Sequence, residues 1–420
     1  MGYYRLINNN RVKEEQIIAG IQKSSLDFCQ EGGHYLAIQD TSAMSYRHHK
    51  DRIKAGSLGW IANNEKDLGF FFHPTLVIEA SMESKIGFGH IELWSRKKEA
   101  LHRDKREYKK QPIEDKESWR WIESVRKTRQ MVPPSAELTF IQDREGDIFE
   151  LFQQAQGNNK VIVRSRDNRR LENQELKLFE YLYNLPPAGC FTLKVRGDIR
   201  LNRTTRKAEI ELRFAPVSLK APSRLKKASS QKVWAVFAKE KEESVPLGEE
   251  PLCWYLLTTH EVKGVQQAEQ IVFWYSQRWY IETLFRVLKS QGLGLEQSEL
   301  EDGAALRRLT LLSLPAALNI MQLWLVQKEA PKHTSLPSNY DQQQLKCLEQ
   351  LNKQLQGNTE KLSNPNPANT MAWIAWIIAR LGGWSGYSSQ RPPGVITLIR
   401  GYRRFENLYE GWRLYDVYKP

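Results

Sequence analysis

The segment "LTFIQDREGDIFELF", Leu138–Phe152, decides how the chain is built. Its first half is an apolar run rich in β-formers that stops at Asp143, so it reads as a strand. From about Asp147 the pattern turns helical, and "NKVIVRSR", Asn159–Arg166, resumes as a strand. A run of the same form, "YLAIQD", Tyr35–Asp40, lies far upstream. Both runs end in an acid, and acids at the carboxyl ends of sheet strands can converge on one crevice. For either aspartate alone the usual explanation is a capped turn after a strand. The pair gains meaning only with a third acid.

Working outward, "VKEEQIIAGIQ" spaces its apolar residues helically, and residues 1–30 read as helical. "LGFFFHPTLVIEA" and "SKIGFGHIELWS" alternate like strands and pair as a hairpin across Met82–Lys85. The charged stretch 96–110 reads as a solvated loop, and "EDKESWRWIESVRKT" as a helix. Phe191 to about Lys241 is all β in pattern, with a basic loop "SRLKKASSQK" inside it. "LCWYLLTT", Leu252–Thr259, returns as a buried strand leading into a long helix. Beyond Gly303 the chain reads as all helical, interrupted by "SNPNPAN". The expected class is α/β: a mixed-sheet core with a β-rich insertion and a C-terminal helical region.

The third acid sits in "YSQRWYIETLFRVLK", Tyr275–Lys289. On an ideal helix Arg278, Glu282 and Lys289 fall within about 60° of Tyr275 on one side, and Trp279 and Arg286 within about 40° on the other. Ile281, Leu284, Phe285 and Leu288 take the opposite, core-docking face. One carboxylate among several cations is ordinarily a solvated face with an i, i+4 ion pair. Together with Asp40 and Asp143, however, Glu282 completes a hard-oxygen set without a histidine pair, suited to Mg²⁺ or Mn²⁺. Two such ions serve phosphoryl transfer, and cations around them suit a phosphate-rich substrate.

The formal net charge of +13 over 420 residues fits a polyanionic partner, nucleic acid before membrane. Cys29, Cys190, Cys253 and Cys347 form no C-x-x-C pair, so neither a zinc site nor a disulfide framework is read from them. No signal peptide opens the sequence, which suits a cytoplasmic protein. The apolar run Leu309–Gln327 contains Ser313, Pro315, Asn319 and Gln322 and reads as a buried helix rather than a membrane span.

These residues carry a resemblance. Tyr275, Arg278, Glu282 and Lys289 match Y-x2-R-x3-E-x6-K at every spacing. That is the signature around the third acid of bacterial DDE cut-and-paste transposases of the insertion-sequence-four, transposon-five-like family. "LAIQDTSAMSYRH" resembles the family's first-acid strand and "IQDREGDIFELF" its second. "RSRDNRR" and "LRFAPVSLKAP" resemble pieces of its β insert, and "WIAWIIARLGGW" and "ENLYEGWRLY" its carboxyl-terminal dimer helices. The resemblance implies a ribonuclease-H-like core over residues 35–302 with an insertion at about 168–250, after a helical lead-in at 1–34. Residues 303–420 would be a helical dimerisation region.

It further implies that Asp40, Asp143 and Glu282 hold two Mg²⁺ or Mn²⁺ ions. Tyr275, Arg278 and Lys289 would contact phosphates near the transposon end. Trp254 would stack on a flipped base or serve as a core tryptophan. Trp279 is either a second aromatic near that base or a packing residue, and Arg144 and Arg164 are phosphate contacts or surface charge. The implied enzyme is a homodimeric DNA transposase, free of membrane and associated with the bacterial nucleoid. It nicks DNA, forms and opens a hairpin, and joins the 3′-OH to target DNA. Family members carry a further helical DNA-binding domain ahead of the first acid, and the residues before Asp40 here are expected to be too few to hold one. A shortened transposase acting as a dimerising inhibitor, or an inactive remnant, is therefore the alternative reading.

Overall fold

The computed structural model describes residues 2–62, 67–81, 86–97, 111–197, 202–225, 227–289, 292–327, 340–357, 359, 362–387 and 390–417. The expected Met82–Lys85 turn and most of the charged 96–110 loop lie outside these residues. The fold is α/β, built on an eleven-stranded mixed sheet.

Its centre is β1 (His34–Gln39), β6 (Glu137–Gln142) and β7 (Asn159–Arg164). β1 pairs with β6, and β6 with β7, in parallel. β1 and β6 are inaccessible along nearly their whole length, because both faces of the sheet are covered and continuous apolar strands such as "LTFI" suit that setting. On one flank β1 pairs antiparallel with β4 (Leu68–Glu79), which pairs antiparallel with β5 (Ile86–Trp94). The short strands β2 (Ser42–Ser45) and β3 (Gly59–Trp60) also pair with β4. On the other flank β7 pairs with β11 (Cys253–Thr258). The sheet then runs outward through β10 (Gln231–Glu240), β9 (Arg206–Leu219) and β8 (Gly189–Val195), all antiparallel. The β-rich insertion therefore extends the central sheet.

Helices cover both faces. On one lie α3 (Trp119–Met131), the four-residue α4 (Phe149–Phe152) and α5 (Leu178–Asn184), whose Trp121, Ile122, Val125, Phe149, Leu178 and Leu182 share a core with the inward residues of β6 and β7. The helix expected from Asp147 is reduced to this one turn, and α5 fills a stretch the sequence left unassigned. On the other face lie α2 (Glu14–Ser25), α6 (Val265–Ser276), α7 (Trp279–Leu288), α8 (Gly303–Leu312) and α9 (Leu314–Val326), with α11 (Met371–Leu381) and α12 (Val395–Val417) packed outside them on α9. α1 (Gly2–Ile7) precedes α2, and α10 (Gln342–Leu355) lies between α9 and α11. The lead-in is tied to the helical region: Arg307 bridges Glu14 at 2.7 Å, and Arg308 donates to the Ile7 carbonyl at 2.6 Å. The segment Gly303–Val326 is long and apolar enough to cross a membrane, yet 61% of its most apolar window is buried in the protein. That burial is the property of a core helix pair, broken at Ser313.

One correction bears on the site. The single helix expected over Tyr275–Lys289 is two helices, broken at Gln277–Arg278. Across the break the backbone tightens to i→i−3 hydrogen bonds: Arg278 N to Tyr275 O at 3.0 Å, and Ile281 N to Arg278 O at 3.2 Å. Tyr275 consequently leaves the open face and is 3% exposed. The core-docking residues Ile281, Leu284, Phe285 and Leu288 are buried as their spacing predicted.

Candidate active site

β1 and β6 run parallel and in register, so the residue after each strand emerges at the same sheet edge. Those residues are Asp40 and Asp143. The preceding pair, Gln39 and Gln142, are both fully buried, and Gln142 Nε2 donates to Gln39 Oε1. This side-chain bridge ties the strand ends together and fixes the lateral placement of the two acids. The repeated "IQD" was the sequence signal for it. After Asp143 the chain turns at Arg144–Gly146. A Cβ at Gly146 would lie 2.2 Å from Gln142 Oε1 and 2.6 Å from its Cβ, so only glycine lets the turn close over the glutamine.

α6 and α7 bring the third group. Arg278 Nη1 lies 3.1 Å from Asp40 Oδ2, and its Nη2 lies 2.6 Å from Glu282 Oε1 and 3.8 Å from Asp143 Oδ2. Three carboxylates from three elements thus surround one guanidinium. The Tyr275 hydroxyl donates to Asp143 Oδ1 at 3.0 Å, and the Thr41 amide donates to Asp40 Oδ1 at 2.8 Å. The i, i+4 pair of Arg278 with Glu282 is therefore present, and it is one edge of a four-charge cluster.

Burial dominates the electrostatics. It pushes Asp40 up to about 7 against the pull of Arg278 and the Thr41 amide, with Asp143 and Glu282 adding like-charge repulsion. Asp143 is also penalised by burial. Arg278, the Arg144 amide, Arg164 and the Tyr275 hydroxyl outweigh that penalty and hold it below its ordinary value. Burial and the neighbouring Asp143 carboxylate raise Tyr275. For Arg278 burial works downward, and Tyr275 with the three acids more than reverses it. The two neighbouring aspartates are thus driven in opposite directions, Asp40 up and Asp143 down.

The other predicted residues fall around this centre unevenly. Trp254 on β11 is half-buried and packs edge-on against Tyr275 with ring centroids 5.0 Å apart, so it walls the site. Trp279 is half-buried at the start of α7. Arg164 ends β7, close enough to Asp143 to stabilise its charge, and donates to the Cys253 carbonyl at 3.3 Å. Arg144 is exposed beside Asp143. Lys289 lies past the end of α7, 3.8 Å from Glu296, and burial lowers its basicity.

Two residues escaped the sequence reading. Arg196, just past β8, lays its guanidinium 5.4 Å over the Tyr280 ring and 5.5 Å over Trp324, and feels the Glu282 charge. The insertion thereby reaches back over α7, which a basic hairpin sequence does not reveal. Asp147, expected at a helix start, accepts from the Arg166 amide at 2.9 Å and from Arg169 Nη2 at 2.6 Å. It anchors the loop after β7 and takes no part in the carboxylate cluster.

The opposite ends of the same strands hold a second cluster. His34 and Glu137 are register partners, 3.3 Å apart between Nε2 and Oε1. His260, just after β11, completes it, and the Thr139 hydroxyl sits 2.8 Å from the Nε2 of both histidines. Burial keeps both imidazoles neutral, lowering His34 and bringing His260 down to about 3. The three residues are scattered over the sequence, so no spacing announced them. The chain matches no protein-family model.

Proposed function

We propose that the chain is a DNA-cleaving and strand-joining enzyme, a transposase with a ribonuclease-H-like core and Asp40, Asp143 and Glu282 as its metal-binding acids. The observation that carries this reading is the gathering of those three carboxylates, from β1, β6 and α7, around one cation. The strand order β5-β4-β1-β6-β7, antiparallel on one side of β1 and parallel on the other, supports the core assignment.

An all-carboxylate donor set gathered around positive charge is the chemistry that hard divalent cations require, with the guanidinium standing in that place here. Mg²⁺ or Mn²⁺ held by the three acids would supply Lewis-acid stabilisation of oxygens on phosphorus. The chain's own groups set the stage. Tyr275 orients Asp143 through its hydroxyl. Arg278 balances the acids, with Nη1 on Asp40 and Nη2 on Glu282, and would turn toward a phosphate only as metal ions took over those carboxylates. Arg144 and Arg164 set positive charge beside Asp143, Lys289 would meet phosphates further along α7, and Trp254 would offer its ring face to an unstacked base. In this reading the protein is cytoplasmic, binds double-stranded DNA, and self-associates through the helices after Gly303.

The test is a strand-transfer assay with pre-cut DNA ends bearing free 3′-OH groups, a plasmid target and Mg²⁺ or Mn²⁺. Joined product is expected from the wild-type chain and none from Glu282→Ala. A folded wild-type protein that neither nicks nor joins DNA overturns the reading.

A further inference from the structure

The cluster at the starting ends of β1 and β6 has no part in the DNA chemistry above. It lies a full strand length, roughly 20 Å, from Asp40 and Asp143. We propose that His34, Glu137 and His260 form a second metal site, for a borderline divalent cation of the Zn²⁺ class, separate from the carboxylate site.

The argument rests on geometry and donor type. The three ligand atoms all lie within 4.8 Å of one another. A bound ion with donor distances near 2 Å would require only small side-chain rotations to be reached by all three. Imidazole nitrogens favour Zn²⁺ over Mg²⁺, so this donor set selects a different ion from the acids at the other sheet edge. Two histidines and one glutamate leave a fourth position for water or another ligand. Entry is open, since the side chains of His34 and Glu137 keep 27% and 37% of their exposure. The walls are stiff. Trp274 packs edge-on to His34 at 4.8 Å between centroids and lies 5.1 Å from His260. The fully buried Thr139 hydroxyl gathers both Nε2 atoms to one point, and an ion there would replace those two hydrogen bonds.

The ligands come from β1, β6 and the turn after β11, so an ion there would staple three strand ends. Lys160, paired with Thr139 across β6 and β7, is the charge that opposes it. The simpler explanation is a hydrogen-bonded polar patch, which would not respond to metal.

The two are separated by titrating the full chain, stripped with chelator, with Zn²⁺ alone and with Co²⁺ as a spectroscopic probe. Expected are one bound Zn²⁺ of this class, visible Co²⁺ absorption of low-symmetry coordination, and a rise in Tm of at least about 2 °C. Glu137→Gln, which keeps size and polarity, and His260→Ala should each weaken binding at least about tenfold. Glu282→Ala should leave it unchanged. Absence of Zn²⁺ binding by folded wild-type protein overturns the site, as does equal affinity in wild type, Glu137→Gln and His260→Ala.

Discussion

Asp40 shows how a single residue is placed at a cost to stability. Its carboxyl titrates near 7 in the fold because burial outweighs Arg278. The folded state therefore holds a proton that the unfolded chain releases in the ordinary carboxylate range. From about pH 4 to pH 7 the unfolded state binds fewer protons, so the Asp40 contribution to stability falls as pH rises. Asn at this position imitates the protonated acid. Asp40→Asn should be more stable than wild type at pH 7 by roughly 1–3 kcal/mol, the difference closing by about pH 4. Urea denaturation of both proteins across that range measures it, and comparing variant with wild type cancels the opposing acid-side loss from His73 and His90. Burial holds those two neutral, near 3 and 4 respectively. A variant that is less stable at pH 7 would mean the Arg278 pair dominates.

At the scale of elements, much was legible. β1 and β6 were readable because a strand buried on both faces is nearly all apolar, and the buried face of α7 because helical spacing survives tertiary context. The break at Gln277–Arg278 was not, since neither glycine nor proline marks it. A tertiary contact and a local one hold it: Arg278 is drawn to Asp40, 238 residues away, and Gln277 Nε2 bonds back to the Phe273 carbonyl at 3.0 Å. The crossing of α11 and α12 was equally hidden. A Cβ at Gly401 would lie 1.7 Å from the Ile378 carbonyl, and one at Gly382 2.0 Å from that of Thr397. The two helices meet backbone to backbone at these glycines. Gly401→Ala should lower stability by about 1–3 kcal/mol through overpacking, read from the midpoint of chemical denaturation. An unchanged midpoint would show that the helices can part without cost.

For the whole molecule, the insertion proves to be continuous with the core. β10 covers β11 through six register pairs, from Trp234↔Thr258 to Lys239↔Cys253. Excising residues 189–240 would leave β11 as a bare edge flanked by apolar faces, and such edges recruit other chains. Size-exclusion chromatography of that deletion should show aggregates, and a monodisperse product would mean the insertion is an independent module. The site's overall position was legible from the repeated strand-then-acid pattern, whereas the His34–Glu137–His260 cluster, assembled from three distant segments, was not. The guanidinium among three acids also sets a schedule. Asp40 and Arg278 are 238 residues apart. At ordinary ribosomal speeds that separation takes on the order of 10–50 s to synthesise. Through that interval Asp40, joined part-way by Asp143, exists without Arg278 and without Glu282. Until translation has passed Glu282 the carboxylate cluster cannot close, and the helices after Gly303 are then still to be made.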